Sequence, residues 1–397
     1  MTVSNPWFLA ALLGVLVVFH LEWLAALLNS ARIGKALPPV LADLYTDEKR
    51  GQLREYFLDK QRVGLTQSFT SLALLLGVWW IGGFGWLQGA CASLGHGPVL
   101  TGVIVITAVM LALTLAGLPF EIWHTFGVEQ KHGFNKTTPR TFVSDQLKGL
   151  LLLALLGLPA AALVLWFFET RSLAALYAWI FLAAFSLLMT WLSPRLIMPL
   201  FLKFRPLEEG ALRAGILALA EKLHFPVGEV SIVDGSRRST KANAFFAGFG
   251  KTRRIALFDT LLENHTQEEI LAVLAHEIGH SRLRHVPKHL ALALAEMGVI
   301  FALLGWALRS PDFFAAFGVA GTPVGMGLVL FGLIYKPLGL LIGIGGLALS
   351  RRHEFEADAF AARAVGGPEP LLSGLKKLAT DHLAHPQPHP LAVCLHH

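Results

Sequence analysis

The sequence predicts a mainly α-helical, polytopic membrane protein that carries one small α+β domain. Three observations predict it. Of 397 residues, 54% are hydrophobic and only 15% are charged, whereas a soluble domain is about a quarter charged. Mean hydropathy is +0.57. Seven stretches are apolar over the roughly 20 residues that a bilayer crossing requires: residues 7–29, 66–94, 99–126, 147–170, 173–201, 289–309 and 324–350. Between the fifth and sixth lies residues 202–288, a more polar segment of mixed strand and helix patterning.

The first stretch has no basic residue before it and no small-residue cleavage site after it, so it reads as a retained span and not a cleaved signal. It holds His20 and Glu22. Ionisable groups at membrane depth face protein or a hydrated cavity, and these two hint at a wet interior. The connecting loops differ in charge. Arg32, Lys35, Lys49, Arg50, Arg54, Lys60 and Arg62 lie between the first two stretches, and Lys131, Lys136 and Arg140 between the third and fourth. Residues 95–98 and 310–323 have no lysine or arginine, and the turn at Arg171 has one. By the positive-inside rule the N-terminus is outside, while residues 202–288 and the C-terminus are cytosolic. The net charge of +6 belongs to this asymmetry. No basic run is interleaved with aromatics, so a nucleic-acid partner is not expected. Cys91 and Cys394 cannot build a disulfide framework. The last stretch is weakened by Lys336 and Pro337.

Within 202–288, residues 207–223 have helical periodicity. "VSIVD" (230–234) and "RRIALFD" (253–259) read as short strands, and "NAFFAGFG" (243–250) as a strand or hairpin arm ending in a glycine turn. Thr266 and Glu269 form a capping box ahead of an apolar run, so a helix starts there. Pro287 stops that helix or kinks it into the sixth span. The chain therefore divides into spans one to five (1–201), the α+β domain (202–288), spans six and seven (289–350), and a terminal helix and tail (351–397).

The capped helix carries "LAVLAHEIGHSRLRH" (271–285). Residues four apart share a helical face, so His276 and His280 can hold one ion between their imidazoles. Glu277 is turned about 100° from His276 and can reach a water on that ion without being a ligand. This is the pattern of a zinc hydrolase with Glu277 as general base. A catalytic zinc takes a third protein ligand. The candidate is Glu354 in "SRRHEFEADAF" (350–360), with Asp358 one turn on to accept the free N–H of a ligand histidine. Alone, that segment reads equally well as a solvated turn in which Glu354 and Glu356 pair with Arg351 and Arg352. His285 and His289 read as surface or interfacial residues, and His382 to His397 as a histidine-rich tail.

Several stretches together resemble the type I CAAX prenyl endopeptidases, integral membrane zinc metalloproteases. They are "HEIGH" (276–280), "EFEAD" (354–358), "NAFFAGFG" (243–250), "RRIALFDTLL" (253–262), "SPRLIMPLF" (193–201) and "LPFEIWHTFGVEQKHGFNKTTPRTFVSDQLK" (118–148), in which Gly-Phe-Asn-Lys is the most specific. The resemblance implies a barrel of seven transmembrane helices around a water-filled chamber, closed by a zincin-like catalytic domain. It also implies one Zn2+ per chain on His276, His280 and Glu354, Glu277 as base, Asp358 orienting a ligand, and Asn243, Ala244 and Phe245 lining the substrate strand. The implied substrate is a peptide or protein, in eukaryotic members a prenylated C-terminus cut after the lipid-bearing cysteine. A bacterial inner membrane is expected over the endoplasmic reticulum. The family continues beyond a segment like "AHPQPHPLAVCLHH" into a Ser-His-Pro motif and an arginine, so a chain ending at His397 is expected to bind zinc and cleave slowly. The competing readings are a heat-shock-type membrane quality-control zinc protease, an intramembrane site-two-type protease, and a non-catalytic zinc-binding scaffold.

Overall fold

The computed structural model describes residues 4–35, 37, 41, 44–247 and 254–396. Among them, seven helical stretches are long and apolar enough to cross a membrane. The first, α1 (Pro6–Ser30), starts where Asn5 Oδ1 accepts from the backbone N–H of Trp7 and Phe8. The second differs from the expected 66–94. Helix α2 (Asp47–Trp80) begins earlier, capped by Thr46, and ends at the left-handed Gly82. The remainder folds as a separate helix, α3 (Gly83–Ala92). A glycine at φ +76 takes a conformation that other residues reach only with strain, so the apolar run breaks there although its composition does not change.

The third span runs Pro98–Glu129, through α4 (Pro98–Ile122) and one wider π turn. The fourth joins α5 (Pro139–Leu152) to α6 (Leu158–Thr170), and the fifth joins α7 (Ala174–Leu192) to α8 (Met198–Phe201). Both cross a π turn beside a proline, Pro159 or Pro194, where a ladder N–H is missing. The apolar windows of the seven spans are only 6–28% buried. Most of their apolar surface is thus left uncovered by the rest of the chain. One end is closed by an aromatic plug, in which Phe313, Phe314 and Phe317 pack with Trp79 and Phe8. Trp79 Nε1 donates to Ala316 O at 3.0 Å, and Asn5 Nδ2 to Asp312 O at 2.7 Å.

At the other end sits the α+β unit. Strand β1 (Phe204–Pro206), which the sequence pattern does not signal, leads to α9 (Ala211–Lys222) and β2 (Glu229–Val233). Next come β3 (Ala244–Ala247) and β4 (Arg254–Phe258). Sheet order is β1-β2-β4-β3, with β2 and β4 parallel and the other pairs antiparallel. Strand β3 therefore lies at the edge. The expected glycine turn after it, residues 248–250, lies outside the described residues, as does Arg253. Helices α10 (Asp259–Asn264) and α11 (Gln267–Arg282) follow, and Ile255, Leu257, Leu261 and Leu274 form the core between sheet and helices.

The sixth span, α12 (His285–Ala307), is entered through Arg284 in the left-handed region. Pro287 falls in its first turn, where no ladder N–H is needed. After α13 (Pro311–Ala315), α14 runs unbroken over Val324–Val365, straight through Pro337. Gly14 of α1 accommodates that ring, since a Cβ there would lie 2.7 Å from Pro337 Cγ. The seventh span and the "EFEAD" segment are thus one rod, so residues near position 354 are fixed relative to the membrane helices. Helices α15 (Glu369–Asp381) and α16 (Pro390–His396) complete the fold, the latter packed on α1 through Leu395 and Ala25.

Candidate metal centre

Helix α11 is held at three points. The capping box is formed at its start, with Thr266 Oγ1 accepting from Glu269 N–H and Glu269 Oε2 from Thr266 N–H at 2.9 Å. The buried Glu269 also accepts from Ser373 Oγ at 2.6 Å and Lys377 Nζ at 2.7 Å, which ties α15 to it. Burial alone would raise the Glu269 pKa, but the hydrogen bonds from Lys377, Ser373 and Thr266 outweigh that and hold it at about 2. In mid-helix, Gly279 faces α14. A Cβ there would lie 3.1 Å from Phe360 Cδ1 and 3.4 Å from Ala357 Cα. The glycine inside "HEIGH" thus sets how closely the two helices cross.

That crossing brings three donor atoms together. His276 Nε2 and His280 Nε2 are 3.1 Å apart, and Glu354 Oε2 is 3.4 Å from the first and 3.6 Å from the second. Tetrahedral ligation at the roughly 2.0–2.1 Å usual for zinc and nitrogen puts neighbouring donors about 3.3 Å apart, a value these spacings bracket. The tautomers also fit. Asp358 Oδ1 lies 2.8 Å from His276 Nδ1. An ionised carboxylate only accepts, so Nδ1 carries the hydrogen and Nε2 presents its lone pair to the centre.

A second chain of contacts does the same for His280, and sequence reasoning missed it. His280 Nδ1 lies 3.0 Å from His285 Nδ1, and His285 Nε2 lies 3.1 Å from Glu356 Oε2. Glu356 in turn accepts from Arg352 Nε at 2.9 Å. With Glu356 accepting, His285 carries its hydrogen on Nε2 and accepts from His280 Nδ1–H, which leaves His280 Nε2 free to ligate. His285 is only 1% exposed, so its expected place at the surface is corrected. It stacks on His353 at 3.9 Å and 7°, and His353 Nδ1 meets His289 Nε2 at 2.9 Å. The signal was the spacing of five from His280 across a helix end, which periodicity within one helix does not reveal.

Glu277 and His280 line a cavity of about 890 Å³ with Phe245, Phe246, Met198 and Arg284. Burial pushes the Glu277 carboxyl above the usual glutamate range; the charge of Glu354 adds to this and that of His276 opposes it. Edge strand β3 forms one wall. Phe245 lies in the lining, as does Phe246, which was not anticipated. Asn243 and Ala244 lie at the start of the strand. The exposed Asn243 side chain accepts from Ala244 N–H at 2.8 Å, and its carbonyl accepts from Phe258 N–H.

The chain matches two family models, one after the other along its length. Residues 27–203 match "CAAX prenyl protease N-terminal, five membrane helices", and residues 206–393 match "Peptidase family M48". It is 35% identical over 376 residues to an Arabidopsis thaliana CAAX prenyl protease 1 homolog, spanning 91% of this chain and 87% of the relative. The human CAAX prenyl protease 1 homolog is 32% identical over 403 residues, spanning 88% and 83%. The crystal structure of S. mikatae Ste24p superposes with a TM-score of 0.93 at 30% identity, over 99% of this chain and 96% of that one.

Proposed function

Since the chain belongs to peptidase family M48 and is a multi-pass membrane zinc metalloprotease, we propose that one zinc ion sits on His276, His280 and Glu354 and that Glu277 is the general base. The observation that carries this is the convergence of the three donor atoms to within 3.6 Å, with both histidine tautomers set from outside. Zinc held there supplies Lewis acidity, which acidifies water and polarises a carbonyl. Glu277 takes a proton from the attacking water and delivers it to the amide nitrogen as the C–N bond breaks. Asp358 and the His285–Glu356 pair keep the two imidazoles oriented. The edge of β3, from Asn243 and Ala244 to Phe245, pairs with an extended peptide.

The substrate in this reading is the prenylated C-terminus of a protein, cut after the lipid-bearing cysteine. The apolar walls of the cleft, with Phe245, Phe246 and Met198, support it by giving a lipid-bearing chain a seat. The test is cleavage of matched farnesylated and unprenylated peptides by protein in detergent, with products identified by mass. Release of a C-terminal tripeptide, faster from the farnesylated peptide, is expected. Cleavage at internal sites with no preference for the lipid would replace this reading with that of a general membrane protease.

Two further predictions belong here. His285→Ala is expected to weaken zinc binding by about 10- to 100-fold. His285→Gln, which keeps an acceptor for His280 and a donor for Glu356, should lie closer to the unaltered protein. Competition against a chromophoric chelator measures this, and equal affinity in all three would deny His285 any part in positioning. On topology, we place residues 202–288 and Lys136 in the cytosol by the loop charges. A cysteine introduced at Asp312, in a chain with Cys91 and Cys394 replaced by serine, should react with an impermeant maleimide only from the opposite side. Labelling from the cytosol alone would reverse the orientation. The Arabidopsis thaliana and human relatives named above come from a plant and an animal, so the expectation of a bacterial membrane draws no support from them.

A further inference from the structure

We propose that a second cavity, where the fourth span meets the catalytic domain, binds a phosphate group. The Gly-Phe-Asn-Lys loop crosses to the segment after β2 at this point. Lys136 N–H donates to Arg238 O at 3.0 Å, Thr137 Oγ1 donates to the same oxygen at 3.2 Å, and Asn135 pairs with Ser239. Beside this seam lies a cavity of about 630 Å³ lined by Lys136, Arg140, Lys148, Arg237 and Arg238 against a single carboxylate, Asp145. No residue lines both this cavity and the catalytic cleft.

The carboxylate is already committed. Asp145 accepts from Arg238 Nε at 3.0 Å and Nη2 at 2.8 Å, and Lys148 Nζ stands 3.5 Å away while donating to Leu200 O at 2.7 Å. Lys136, Arg140 and Arg237 have no carboxylate within 4.0 Å among the described residues. Arg238 Nη1 is buried with no hydrogen-bond partner. A buried donor left unmade is costly, and it marks Arg238 as held in place by its Asp145 pair and its packing, while the cavity itself is faced by Lys136, Arg140 and Arg237. The start of α5, capped by Thr138 with Pro139 in its first turn, presents the positive end of a helix of 14 residues to the same place.

The charge count selects the ligand. Three uncommitted cations call for about two negative charges and several acceptor oxygens, which a phosphate monoester has and a carboxylate lacks. A zwitterionic headgroup does not fit, because the one carboxylate is taken. Val143 and Leu147, one and two turns further along α5, are 55% and 61% exposed, so an apolar surface for acyl chains adjoins the cations. The phosphate can therefore come from an anionic lipid headgroup or from solution, and the experiment separates the two.

The full-length protein in uncharged detergent is titrated with dioctanoyl phosphatidic acid, dioctanoyl phosphatidylcholine and inorganic phosphate. Melting temperature and native mass spectra are recorded. The comparison protein carries Lys136→Gln, Arg140→Gln and Arg237→Gln, which leaves the Arg238–Asp145 pair intact; an Arg140→Glu protein provides a second, single change. Phosphatidic acid is expected to raise the melting temperature and phosphatidylcholine to leave it unchanged. The triple variant should bind roughly a hundredfold more weakly, with unchanged basal peptide cleavage in phosphatidylcholine nanodiscs. A response to phosphatidic acid alone assigns a lipid headgroup, and an equal response to inorganic phosphate assigns a soluble phosphate; either upholds the site. Binding by the triple variant as tight as by the unaltered protein, or no response to either phosphate, overturns it. Because the readout is binding, it stands apart from the choice of peptide substrate.

Discussion

Replacing Glu277 by glutamine is expected to lower the turnover number about a thousandfold while leaving the zinc content unchanged. General-base catalysis by a positioned side chain contributes roughly 10²- to 10⁴-fold. Glutamine has the same shape as glutamate and cannot accept the proton. The exchange leaves His276 Nε2, His280 Nε2 and Glu354 Oε2 as they are, since the contacts that join these three atoms do not involve Glu277. It also removes a charge from a half-buried position where burial already works against ionisation, so the fold should not suffer. The loss should fall on kcat, with little change in KM, because the proton moves only during the reaction. Peptide cleavage and metal analysis on one preparation decide it. Near-normal turnover with bound zinc would assign the base to another group, and loss of zinc would assign Glu277 to the ligand set.

The parts of this centre that could be read in the sequence are those written within one helix. His276, Glu277 and His280 are one turn of α11, and Thr266 and Glu269 announce its start, so periodicity and capping chemistry suffice. Glu354 and Asp358 share a face of α14 for the same reason, but that this face meets α11 rests on Gly279, whose missing Cβ makes room for Phe360 and Ala357. No local pattern shows that. His285 was beyond reach because it follows the left-handed residue Arg284 and belongs to the next helix. The spans were legible by hydropathy except where α2 ends at Gly82, since apolar composition continues across a break in backbone geometry. Strand β1 is three residues long and contains a proline, too little for any alternation to register. The basic cavity joins residues about a hundred positions apart, and its charges appear in sequence only as part of a general loop bias.

Glu354→Ala and Asp358→Ala should differ in kind, and the comparison tests the whole geometry of the centre. Alanine at 354 removes a donor atom and leaves two histidines 3.1 Å apart facing each other. Alanine at 358 keeps all three donors and frees His276 to rotate or to present the wrong tautomer. A lost hydrogen-bond partner of a ligand typically costs about 10- to 100-fold in metal affinity or activity, so Asp358→Ala should fall in that range. Glu354→Ala should exceed it, losing zinc on dialysis against a competing chelator and with it all measurable cleavage. Added zinc should restore much of the activity of the Asp358 variant and little of that of the Glu354 variant, because only the first still has a complete ligand set. The helix crossing itself does not depend on either carboxylate, since Gly279, Phe360 and Ala357 form it, so both proteins should remain folded by melting temperature. Should Glu354→Ala hold zinc as tightly as the unaltered chain, the third ligand lies elsewhere and the convergence of donors seen here is not the zinc site. A larger loss of zinc from Asp358→Ala than from Glu354→Ala would instead exchange the two roles, making Asp358 the ligand and Glu354 the neighbour.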